Sequence, residues 1–233
     1  EQIKWAEAQK GRIGEMKCNL CPRHCGADRE KKETGVCGQT DRIKIARAAL
    51  HMWEEPCISG KNGSGTVFFS GCALHCVFCQ NDSIANGTVG REISEERLTE
   101  IFLELQEKGA NNINLVTAGH FLPQVIFSLK KAKDIGLTIP VVYNTGSYES
   151  VDAIKSLEGL VDIYLPDLKY VNVALSEKYS HAKDYFTVAS EAIEEMVRQV
   201  GKPEFQKKGT NSIFSAEEYN ETCDEDDPEM LMK

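Results

Sequence analysis

Long apolar runs are missing from this 233-residue chain, and none approaches the roughly 18 consecutive apolar residues a membrane span requires. Positive charge is also scarce, with 27 Lys and Arg against 36 Asp and Glu, a formal net charge of −9 and a pI near 5.2. Such a balance is unsuited to a phosphate backbone, so no nucleic-acid partner is expected. Glu1-Gln2-Ile3-Lys4-Trp5 shows no apolar leader, and a soluble, cytoplasmic protein is the expectation. Aromatics are few, at 8%, but hydrophobic residues reach 41%, enough for the core of one moderate domain. A spread framework of paired cysteines is absent too. Of nine cysteines, seven fall in two tight clusters, which reads as metal sites sooner than as disulfides.

The remainder of the chain divides by pattern. Residues 1–60 read as a Cys-rich, irregular N-terminal segment, with a short helix over Glu1–Lys10 and breaks at Pro22, Gly26 and Gly35. Residues 61–205 read as a β/α core. Its strands are expected at Thr66–Ser70, Ile113–Thr117, Ile139–Asn144 and Val161–Leu165. Helices are expected from Ser94 to Gly109, over Pro123–Lys133, over Ser150–Leu157, and over Tyr185–Val200 with Ala189, Ile193, Met196, Val197 and Val200 on one face. Strands and helices in alternation predict an α/β fold with a parallel sheet. Four units do not close an eight-fold barrel, so the sheet is expected to be a partial, open barrel or a doubly wound sheet. Residues 206–233 show no readable strand and carry Asp224, Glu225, Asp226, Asp227 and Glu229, the pattern of a disordered or solvated tail.

Just past the first core strand, Cys72, Cys76 and Cys79 have the spacing C-x3-C-x2-C. Thiolates are the usual ligands of iron–sulfur clusters, most cubanes taking four. Three leave one iron without a protein ligand, open to a substrate's amine and carboxylate as catalytic zinc sites are open at one position. The competing reading is a zinc site completed by His75, although no second C-x2-C knuckle lies nearby.

With Phe78 before its last cysteine, this motif resembles the radical S-adenosylmethionine (SAM) superfamily. The likeness is nearest to the pyruvate formate-lyase activating enzyme-like branch. It is carried by Cys18-Asn19-Leu20-Cys21-Pro22-Arg23-His24-Cys25, Glu54-Glu55-Pro56-Cys57, Gly63-Ser64-Gly65-Thr66, Tyr143-Asn144-Thr145-Gly146 and Asp162-Ile163-Tyr164-Leu165-Pro166-Asp167-Leu168-Lys169. The resemblance implies an oxidoreductase of anaerobic chemistry that uses a 4Fe–4S cluster and S-adenosyl-L-methionine. It further implies a flavodoxin- or ferredoxin-like one-electron donor and, in that branch, a protein substrate attacked at a backbone glycine. The SAM contacts it implies are Thr117 and His120 after the second strand, Asn144 and Thr145 after the third, and Asp167 and Lys169 after the fourth. Gln80 and Asn81 either meet the adenine or cap the loop.

Cys18, Cys21, Cys25 and Cys37 form C-x2-C-x3-C-x11-C, a candidate second metal site for zinc or an iron–sulfur cluster. Cys57 reads as structural or near the first cluster, and Cys223 as idle. Relatives in the branch continue with further strand–helix units, one bearing an Arg that helps hold SAM, and none is legible after Phe205. A non-catalytic iron–sulfur or zinc protein is therefore the alternative reading.

Overall fold

The structure, a computed structural model, describes residues 17–207, 213–215 and 230–232. Its frame is a six-stranded sheet built from β1 (Ile43–His51), β2 (Ser64–Phe69), β3 (Arg91–Ile93), β4 (Ile113–Val116), β5 (Val141–Thr145) and β6 (Ile163–Pro166), in the order β3-β1-β2-β4-β5-β6. The last four strands in that order are parallel, with Gly65 opposite Ile113, Ile113 opposite Val141 and Val142 opposite Ile163. They are apolar and largely buried, as strands of a parallel sheet covered on both faces must be. The sheet does not close, which matches a partial barrel of radical SAM type.

Helices fall where their signals stand. Ser94 caps α3 (Glu95–Glu107), its hydroxyl accepting from the Arg97 N–H at 3.1 Å, and Leu98, Ile101, Phe102 and Leu105 face the sheet. Two short helices precede it, α1 (Pro56–Ser59) and α2 (Asp82–Ala85). Then follow α4 (Leu122–Asp134), α5 (Val151–Lys155) capped by Ser150, α6 (Val173–Ser180) and α7 (Tyr185–Val200). The main core lies between the sheet and α3, α4, α5 and α7. A smaller cluster, of Leu74, Cys76, Tyr148, Tyr170, Ala182, Tyr185 and Ala189, sits beneath the loop that follows β2.

Two expectations need correction. Residues 43–51, read as irregular, form β1, which pairs antiparallel with β2 from Ile45 opposite Phe69 to His51 opposite Ser64. Its Ala and Arg residues and half-buried surface hid the strand pattern. Residues 206–233, read as strandless, contain the end of β7 (Glu204–Lys207) and all of β8 (Ile213–Ser215) and β9 (Met230–Met232), paired as a small antiparallel sheet. Strands of three or four residues are too short for periodicity to register. The helix expected at Glu1–Lys10, Cys223 and the acidic run Asp224–Glu229 lie outside the described residues.

Candidate functional site

A cavity of about 760 Å³ opens at the C-terminal ends of the parallel strands, within the size range of small-molecule sites. The loop after β2 brings Cys72, Cys76 and Cys79 to its wall as free thiols. The Cys72 Sγ accepts from the Leu74 N–H at 3.4 Å, and the Cys76 Sγ accepts from Ser180 Oγ at 3.0 Å. Burial pushes the Cys72 thiol up, so a thiolate there needs a nearby cation to balance it. His75 is not turned to the thiols as a fourth ligand: its Nε2 donates to the Val36 carbonyl at 2.7 Å and its Nδ1 lies 3.3 Å from Asn86 Oδ1.

The other walls come from strand ends. Thr117 follows β4 with a left-handed φ of 58°, a costly conformation for a β-branched residue, held by its N–H to the Asn144 carbonyl at 2.9 Å. Asn144 and Thr145 close β5. The Asn144 amide lies 3.5 Å from a Glu54 carboxylate oxygen, while Thr145 Oγ1 donates to Glu149 Oε1 at 2.9 Å. After β6, Lys169 Nζ pairs with Asp167 Oδ2 at 2.5 Å. Tyr185, the first residue of α7, fixes this turn: its hydroxyl accepts from the Lys169 N–H at 2.8 Å and faces the carbonyls of Asp167 (2.8 Å) and Gly146 (2.9 Å). Gln80 and Asn81 also line the cavity. His120 borders it too, but its ring is buried and donates from Nε2 to the Ser70 carbonyl at 2.7 Å. Burial drives that imidazole down to about 3, so it stays neutral and braces the end of β2.

Two wall residues, Glu149 and Glu54, and one residue that braces the cysteine loop, Arg23, escaped the sequence reading. Glu149 is buried, accepts from Tyr143 Oη at 3.1 Å as well as from Thr145, and has no Lys, Arg or His partner among the described residues. Burial pushes its carboxyl up to about 7. Gly119 makes room for it, because a Cβ there would stand 2.4 Å from Glu149 Oε2. Glu54, at the far rim with His51 and Trp53, is likewise raised, by burial first and the Glu55 charge second. Arg23 donates to the carbonyls of Ala73 (2.8 Å), Ser180 (2.7 Å) and His181, and stacks over the Tyr148 ring at 5.0 Å. The proline-cysteine turn around Arg23 was legible, but not what its guanidinium would hold. Cys57, on α1, packs beside Ile58 rather than in the cavity.

Among the described residues, no three His, Cys, Asp or Glu side chains gather tightly enough to hold a single metal ion. The donor set nonetheless suits an iron–sulfur cluster. Its soft thiols share one loop, and a cubane offers a separate iron to each sulfur. The ion pair Asp167–Lys169 and the polar strand ends suit a zwitterionic ligand in the same cavity.

An open, mostly parallel α/β sheet with a three-cysteine loop at the carboxyl end of its first parallel strand defines the class. The chain belongs to the Radical SAM superfamily, whose sequence profile matches residues 66–213. That superfamily normally uses a 4Fe–4S cluster and SAM. The chain is also similar to "Uncharacterized protein MJ0674" of Methanocaldococcus jannaschii, 32% identical over 181 residues, which cover 73% of this chain and 51% of that protein. The chain thus spans about half the length of this curated relative. No helix among the described residues is long and apolar enough to cross a membrane.

Proposed function

We propose that the chain is a radical SAM oxidoreductase in which Cys72, Cys76 and Cys79 ligate three irons of a 4Fe–4S cluster and SAM takes the fourth. When bound, the cluster would supply one electron to SAM, whose sulfonium C–S bond would break to leave methionine and a 5′-deoxyadenosyl radical for hydrogen abstraction. The observation that carries this reading is convergence: the three thiols, the strand-end residues Thr117, Asn144 and Thr145, and the Asp167–Lys169 pair all line one cavity.

Each residue has work that follows from its chemistry. Lys169 Nζ neutralises a carboxylate and Asp167 accepts from an ammonium, with Tyr185 holding the backbone of both. Ser180 donates to the Cys76 sulfur and lowers the cost of its negative charge. Leu74, Tyr148 and Tyr170 shield the cysteine loop from water on its inner side. A protein glycine is the substrate the branch resemblance suggests, with a flavodoxin- or ferredoxin-like donor. Exposed Trp53 and Phe78 at the cavity rim support a macromolecular partner there.

The test is anaerobic reconstitution with iron and sulfide, reduction with dithionite in the presence of SAM, and assay of 5′-deoxyadenosine. Product formed by the native chain and lost in Cys76→Ala supports the reading. A loaded cluster that gives no product overturns it in favour of a non-catalytic iron–sulfur protein.

A further inference from the structure

The strand ends carry the site just described, but the same cavity continues along one face of the sheet. The long helices α3, α4, α5 and α7 pack on the other face, against Val67, Phe69, Ile113, Leu115, Val141 and Tyr143. On the cavity side α1 covers one corner, where Ile58 meets Val142 and Ile163. The three central strands then share a pattern. Each of β2, β4 and β5 is buried at every residue but one, and the exceptions are Phe68, Val116 and Asn144. Pairing sets these in one row, with Phe68 opposite Val116 and Val116 opposite Asn144.

Arg47 extends the row on β1, opposite Phe68. It reaches this face through a bulge. Ile45 packs with the main core, and simple alternation would send Arg47, two residues on, to the same side. The register shifts between Ile45 and Arg47, which turns the guanidinium into the cavity instead. All four residues of the row line that cavity.

The row has a chemical order. Exposed Arg47 stands at one end, and Phe68 and Val116 make an apolar middle. At the far end Asn144 Nδ2 is 3.5 Å from Glu54 Oε2. His51, whose ring meets that of Phe68 edge-on at 6.1 Å, holds its Nε2 4.0 Å from Glu54 Oε1. Asn114, two residues before Val116 on the same face, is wholly buried beside the Glu54 carboxyl. Neither of its amide atoms completes a hydrogen bond among the described residues. Long contacts around a half-buried carboxylate, next to a buried amide in want of partners, leave room for a donor that the chain does not supply.

A ligand matched to this order is elongated. One guanidinium suits the two oxygens of a carboxylate, a carbon chain suits Phe68 and Val116, and an amine, amide or hydroxyl suits Glu54. Three strand spacings of about 4.8 Å separate β1 from β5, so the row measures about 14 Å between backbones before side chains reach inward. A backbone glycine brings neither an anion for Arg47 nor a carbon chain for the middle.

We infer that the row from Arg47 to Glu54 is the substrate site, and that it takes a small elongated carboxylate whose carbon chain leads to a hydrogen-bond-donating end. The row stands one residue before Thr117 and Thr145 in the chain, so the carbon chain lies next to the strand ends read as SAM contacts. That the bound molecule is the substrate rests on the function proposed above, whereas its binding does not.

The experiment titrates 4-aminobutanoate, 6-aminohexanoate and 8-aminooctanoate calorimetrically into the anaerobically reconstituted full chain, with and without SAM. At least one is expected to bind saturably. The carboxylate of the same length without its amine, and the amine without its carboxylate, are each expected to bind about tenfold more weakly or worse. Arg47→Gln and Glu54→Gln are expected to weaken binding by about tenfold or more while loading iron to the native level. The ligand series needs the native chain alone, so it decides the matter even where a variant does not fold. No saturable binding, or truncated ligands bound as tightly as the full one, overturns the site. Equally tight binding of N-acetylglycine methylamide overturns the carboxylate class in favour of a peptide. Binding without 5′-deoxyadenosine from SAM would sink the radical function and leave the site standing, and 5′-deoxyadenosine without binding would do the reverse.

Discussion

Glu149 carries a carboxyl group into a wall that gives it two hydroxyls, Tyr143 and Thr145, and no cation among the described residues. Its ordinary value of 4.5 rises to about 7 through burial, so the folded protein holds a proton there that the unfolded chain releases. The contribution to stability is therefore complete below pH 4.5 and is lost as pH climbs through about 7. Replacing the carboxyl by an amide removes that penalty, worth about 3 kcal/mol at full ionisation. Glu149→Gln is expected to match the native chain in urea midpoint at pH 5 and exceed it at pH 8. A gap that stays constant across this range would show that the buried proton is not the cause. Nothing in the sequence marks Glu149, because its environment is made by Gly119, in the turn after β4, and Tyr143 on β5. Cys72, Cys76 and Cys79 were legible because their partners lie within one short loop, where spacing alone reports geometry.

Among the elements, α7 does more than cover the sheet. Its first residue, Tyr185, ties α7 to the β6 exit through one hydroxyl. Tyr185→Phe keeps the buried ring but leaves the Lys169 N–H and two carbonyls short of a partner, a loss of about 1–3 kcal/mol. The expected result is a lower urea midpoint together with weaker SAM binding by the reconstituted chain. Unchanged values for both would mean that the turn holds itself. The span of α7, Tyr185–Val200, is legible to the residue, since an amphipathic stripe of that length has no competing reading. By contrast α6 went unread: its apolar residues Val173 and Leu175 are exposed, and only Asn172, whose side chain accepts from Ala174 and Leu175, announces it. The strand β1 was missed for a related reason, its two faces being neither clearly apolar nor clearly polar.

At the scale of the whole molecule, the described apolar interior has two main clusters and a small third one of Ile58, Val142 and Ile163. The larger of the two main clusters stabilises the sheet, and the smaller of them backs the cysteine loop. Phe102, fully buried in the larger cluster, takes no part in lining the cavity. Phe102→Ala is expected to cost about 3–5 kcal/mol in global unfolding. Iron bound per folded chain after reconstitution should stay at the native level, and a proportionate loss of iron would show that the two clusters act as one.

The antiparallel pairing of β1 with β2 also sets which changes of chain length the molecule can absorb. Cys37 and Gly71 are neighbours because one strand returns along the other, so the bend that joins β1 to β2 can lengthen without parting them. A slip of a single residue in that ladder is another matter. It would turn every side chain of β1 to the opposite face and carry the loop before it out of alignment with the loop after β2. Insertions around Met52 and Trp53 are the forgiving kind, and a deletion inside Ile43–His51 is the kind that separates the two sets of thiols.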